Sequence, residues 1–82
     1  MTLYLVERTD KIGFDESYAC VVVCGNGTDA IRLAKTLRGD QPAEVWDRAQ
    51  VTYLARSDEN HERIVLVSFN TGYGRGDFWP EF

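Results

Sequence analysis

Two cysteines, one histidine and one methionine leave this chain of 82 residues little of the chemistry that usually marks a reactive site. Cys20 and Cys24 lie in a β-branched run. As members of one strand they face the same way, roughly 13 Å apart. A disulfide needs Cα atoms within about 7 Å. The two thiols are therefore expected to be free, buried and packed as small apolar groups, which suits a reducing compartment. The single histidine, His61, stands in the wholly polar stretch 57–62 beside Asp58 and Glu62. It has no serine or cysteine placed to work with it, and a lone imidazole in a polar tip is no metal set. No pair of carboxylates falls on a pocket wall, and a short chain with one helix offers little concave volume. The expectation is a protein that is not an enzyme, with no cofactor and no metal.

Positive charge is also scarce. Nine Lys and Arg face thirteen Asp and Glu, for a net charge of -4. Broad nucleic-acid binding wants a basic stripe that displaces counterions, so it is not expected here. No apolar run approaches the roughly 20 residues of a membrane span. No basic segment followed by an apolar core opens the chain, so no signal peptide is predicted and the expected compartment is the cytoplasm.

What is present is an ordinary globular balance, 44% hydrophobic and 27% charged, in one domain. Residues 19–39 organise it. Ala19 to Cys24 reads as a strand, Gly25-Asn26-Gly27 as a turn, and residues 28–38 as an amphipathic helix with Ala30, Leu33, Ala34 and Leu37 on one face. Thr28 is read as the cap, Asp29 as the dipole partner and Gly39 as the stop. The letters Gly25-Asn26-Gly27-Thr28-Asp29-Ala30 match G-x-G-x-x-A between a strand and a helix. A dinucleotide site also needs a parallel second strand that ends in a ribose-binding acid. The chain after Gly39 is too short for one. A generic anion at the amides of residues 27–30 asks for less.

The remaining elements follow in order. Residues 3–8 form a first strand. Residues 9–17, with Asp10, Asp15 and Glu16 around Ile12 and Phe14, read as a solvated connection without the alternating ligands of a calcium loop. Residues 40–49 hold a short helical turn after Pro42, with Val45 and Trp46 turned inward. Trp46 is read first as a lid on the core and second as a partner anchor. Residues 50–56 are a third strand, 57–62 a hairpin tip, and 64–70 a fourth strand. The predicted fold is α+β: a small ββαββ domain, a four-stranded antiparallel sheet in the order 1-2-4-3 with one main helix on one face. It covers residues 1–72, and residues 73–82 form a glycine-rich, aromatic tail.

Two features point outward. Every strand carries apolar residues on both faces, yet one helix covers one face, so something must cover the second. The candidates are the tail, the Trp46 connector, a second copy or another protein. The tail itself carries Tyr73, Phe78, Trp79 and Phe82. It either docks on its own sheet or inserts into a partner, steered by Asp77 and Glu81. Trp46, Tyr73, Phe78, Trp79 and Phe82 are thus the candidate partner-binding residues.

The run Leu3-Tyr4-Leu5-Val6-Glu7-Arg8-Thr9-Asp10, the pair Asp15-Glu16, the run Ala19 to Val23, and Ser68-Phe69-Asn70 before Gly72 carry a resemblance. Together they resemble small proteins of actinobacterial bacteriophages, of the mycobacteriophage type, and their hosts. The match covers most of residues 3–72 discontinuously; the tail after Tyr73 falls outside it. That group brings no common activity and no catalytic residues. The resemblance implies a protein that binds a host or phage protein to redirect or inhibit it, as in host takeover, superinfection exclusion or anti-defence. The alternatives are a homo-oligomeric accessory protein that dimerises through the second sheet face, and a weak binder of nucleotide or single-stranded nucleic acid.

Overall fold

The computed structural model describes residues 1–70 and the backbone of residues 79–80. The order of elements is β1 (Thr2–Glu7), β2 (Glu16–Cys24), α1 (Gly27–Ala34), a 3-10 helix (Ala43–Arg48), β3 (Gln50–Arg56), β4 (Arg63–Asn70) and β5 (Trp79–Pro80). The four long strands make one antiparallel sheet with a single main helix, the expected ββαββ domain. A two-residue strand from the tail adds a fifth member beside β4, with Trp79 opposite Val67.

The strand order differs from the predicted one. It is β3-β1-β2-β4-β5. The β1–β2 hairpin is central, with Val6 opposite Cys20 on one side and Val51 on the other. β3 and β4 are not neighbours, so residues 57–62 form a crossover past the ends of the two central strands rather than a hairpin tip. Three inter-strand spacings come to about 14 Å, within reach of six residues. Arg32 of α1 holds this crossover by donating to both oxygens of Glu62 at 2.6 and 2.7 Å.

Helix α1 is shorter than the predicted 28–38. Asn26 caps it: its side-chain oxygen accepts from the Asp29 amide at 2.9 Å. Past Ala34 the chain tightens, with Thr36 N–H bonded to Leu33 O and Leu37 N–H to Ala34 O. Gly39 then turns the chain at a φ of 133°. The turn is locked by Gln41, whose side-chain oxygen accepts from the Ser17 amide while its NH2 donates to Leu37 O and Arg38 O.

The core lies between the sheet and these helices. Val6, Cys20, Val22 and Cys24 pack with Ala30, Ala34, Leu37 and Trp46. Both cysteines are buried thiols outside any disulfide, as expected. Burial pushes the Cys24 thiol up from its ordinary pKa. The connector carrying Trp46 therefore packs on the helix side and does not cover the second face. On that second face Ala19, Val23 and Ser68 are 2%, 1% and 0% exposed, and Leu3, Leu5, Val21 and Leu66 are half-buried. These residues are not left bare, in keeping with the expectation that the second face is covered. Among the described residues the well-exposed large apolar groups lie at the margins: Met1, Phe14, Tyr53 and Leu54.

Candidate protein-docking site

The link between β1 and β2 is short, polar and strongly held. Its anchor is Arg8, the residue after β1, whose side chain is 1% exposed. The guanidinium donates to Asp10 through Nε at 2.8 Å and Nη2 at 2.6 Å. Nη1 donates to Glu16 at 2.9 Å and to Ser17 O at 2.9 Å. Nη2 also reaches Lys11 O at 3.3 Å. A planar fork that spans both ends of a loop is a role lysine cannot fill.

Further bonds fix the middle of the loop. The Gly13 amide donates to Glu16 at 2.9 Å. The Asn70 side chain donates to Gly13 O at 3.1 Å, and the Asp15 amide to Asn70 O at 2.9 Å. Asp15 O accepts from the Asp40 amide at 2.9 Å. Asp15 itself has a φ of 58°, the left-handed region that aspartate tolerates better than most residues. Electrostatics agree with the geometry. The Arg8 guanidinium holds the Asp10 carboxyl below the usual range. The Gly13 amide, then Arg8, does the same for Glu16. Arg8 is held above its own ordinary value, by Asp10 first.

At the tip of this loop stands Phe14, 64% exposed between Gly13 and Asp15. An exposed aromatic on a fully pinned loop is a ready contact. Its ordering cost is met in the free protein, and its ring supplies large apolar area with few torsions to freeze. Sequence reasoning passed over it as part of a solvated connection. The signal that marks it is one aromatic in a largely polar loop, two residues before β2.

A second exposed group lies along β3. Tyr53 is 59% exposed, Leu54 44% and Met1 43%. Met1 pairs with Ser57 just beyond the end of β3, so all three line one margin of the sheet.

Of the residues singled out from sequence, Trp46 falls elsewhere. Trp46 is 0% exposed, inside the core. It packs with Val6, Ala30, Ala34 and Leu37 as a lid on the core, and the Lys35–Asp47 ion pair ties the 3-10 helix to the end of α1. Trp79 has its backbone beside Val67 in β5. Tyr73, Phe78 and Phe82 lie outside the described residues. The glycine turn is ordinary: a Cβ at Gly25 or Gly27 would meet its nearest atom at 3.8 Å. Both neighbours of β2 run antiparallel to it, so the βαβ unit of a dinucleotide site is not formed. Asp29 and Asn26 already occupy the start of α1.

An open cleft of about 530 Å³ is lined by Thr9, Asp10, Glu44, Val45, Asp47 and Arg48. Its acids are largely engaged, Asp10 by Arg8 and Asp47 by Lys35. Among the described residues no three His, Cys, Asp or Glu side chains are grouped to hold a metal, and no helix is long and apolar enough to cross a membrane. Compared with known proteins, the chain matches no family model, no curated protein and no solved structure.

Proposed function

We propose that this protein is a non-catalytic protein-binding module, and that Phe14 is its anchor. The observation that carries the reading is the contrast at the β1–β2 link: an aromatic residue 64% exposed on a loop whose anchoring arginine has a side chain 1% exposed. Hot spots of protein interfaces are typically large side chains that enter a partner's pocket with little reorganisation. The exposed carboxylates of Asp15 and Asp40, joined through the backbone beside Phe14, suit a partner whose apolar pocket is rimmed by Lys or Arg. In the setting implied by the resemblance to actinobacterial phage proteins, that partner is a host or phage protein that is redirected or inhibited. The aromatic tail is a second contact under this reading.

The test uses the full chain as bait in an actinobacterial lysate, beside Phe14→Ala and Asp15→Asn variants. The reading predicts a polypeptide retained by the parent and by a Glu44→Gln control, and lost from Phe14→Ala. Once purified, that polypeptide rebinds the parent at least tenfold more tightly than Phe14→Ala. Equal retention by parent and Phe14→Ala overturns the assignment of Phe14.

A further inference from the structure

We infer that β3 is a self-pairing edge, and that two copies of this chain join through it into one continuous antiparallel sheet. The inference rests on the edge and is independent of Phe14.

The two margins of the sheet are treated differently. Beyond β4 the chain adds its own strand, β5. Among the described residues no strand lies beyond β3, and Gln50–Arg56 presents to that side a row of backbone donors and acceptors without a described ladder partner. Natural edges are commonly guarded by lysine, proline or inward charges. The sequence Gln-Val-Thr-Tyr-Leu-Ala carries none of these before Arg56. Its one irregularity is Leu54, the extra residue where the β1–β3 register shifts. That bulge confines regular pairing to residues 50–53. Of the four exposed large apolar residues among those described, three lie on this margin: Met1, Tyr53 and Leu54.

The segment is self-complementary. A two-fold axis at Thr52 sets Thr52 against its own copy and Val51 against Tyr53 of the second copy, twice over. Directly opposed residues must share a face. They do: Val51 and Tyr53 stand opposite Val6 and Tyr4 on the helix side, and Thr52 stands opposite Leu5 on the other. Aromatic with β-branched, and threonine with threonine, are among the favourable cross-strand pairs. No charged side chain falls within the paired segment. An interface of this kind is isologous and closes after two copies, so it gives a dimer and not a fibre.

The experiment is sedimentation velocity on the full chain from roughly 10 µM to 1 mM, the range of a modest dimer. The expected result is a shift from 9.3 kDa toward twice that mass as concentration rises. Tyr53→Lys is expected to raise the dimer Kd about tenfold or more while circular dichroism is unchanged, since the ring is 59% exposed. Thr52→Cys places two thiols across the axis at about 4.5–5.5 Å between Cα atoms, inside disulfide range. Mild oxidation then yields a covalent dimer from Thr52→Cys and not from Val21→Cys on the sheet face. A monomer at every concentration overturns the inference. So does a dimer that Tyr53→Lys leaves intact, or one that cross-links through Val21→Cys and not through Thr52→Cys.

Discussion

Replacing Gly39 by alanine tests how the turn after α1 is built. Gly39 has a φ of 133°, and a Cβ there would overlap the Gln41 side-chain oxygen and stand 3.1 Å from Asp15 O. Two costs follow. The backbone conformation is one that residues with a Cβ rarely adopt, worth about 1–3 kcal/mol. The methyl also drives Gln41 away from the Ser17 amide, which belongs to a residue 1% exposed. A buried amide without a partner costs about 1–3 kcal/mol. Gly39→Ala is therefore expected to destabilise by about 2–6 kcal/mol, against a total of roughly 4–12 kcal/mol for a chain of this size. The assay is urea unfolding followed by circular dichroism, run as a double-mutant cycle with Gln41→Ala. In the Gln41→Ala background the amide is already unpaired and the overlap is gone, so only the backbone cost remains. The double mutant should then be more stable than additivity requires, by about 1–3 kcal/mol. Additivity within about 0.5 kcal/mol would falsify the proposed contact between the two positions.

Other perturbations have equally definite outcomes. Trp46→Ala empties the largest fully buried site of the core and is expected to cost about 3–5 kcal/mol in the same urea assay; a loss under 1 kcal/mol contradicts the buried placement. Arg8→Met strips Asp10 and Glu16 of their counter-charge and the Ser17 carbonyl of its donor. It should lower stability measurably, by less than the loss of a fully buried pair because Asp10 is 40% exposed. Arg8→Lys should recover little of that loss. The acid side follows from the same cluster. Asp10 and Glu16 are held below the ordinary carboxylate range, so their contribution is complete above about pH 5 and fades as pH falls through the lowered values. Arg8 stays charged throughout. Unfolding free energy measured at pH 7, 5 and 3 should therefore drop mainly below about pH 5, and Arg8→Met should flatten that drop; an equal slope in both proteins counts against the cluster.

The types of the main elements were legible because their periodicities are strong. The β-branched run ending at Cys24 and the spacing of Ala30, Leu33, Ala34 and Leu37 admit few other readings. The order of strands was not. β1 and β4 both alternate apolar residues on two faces, so pattern alone could not say which sits inside. The structure places β1 centrally, with Val6 0% exposed, and leaves Ile64, Val65, Leu66 and Val67 half-buried. The crossover at residues 57–62 was hidden for a related reason: a polar six-residue link serves a hairpin and a short crossover equally well. The tight turn was half visible. Gly39 announced a stop, but Gln41 bridging to Ser17 is a contact 24 residues apart that no local pattern records. The candidate site was the least legible. Trp46 drew attention by its size and proved to be core, whereas Phe14 drew little because its neighbours are polar. The clamp that makes Phe14 a defined surface depends on Arg8 and Asn70, 62 positions apart in the chain, each bonding the same loop.

The central claim is that Phe14 is presented by a rigid loop in the free protein. Backbone 15N relaxation across residues 9–16 measures this directly. The predicted result is order parameters of about 0.85 from Ile12 to Asp15, equal to those of β1 and β2. Values below about 0.6 there would contradict a preformed anchor.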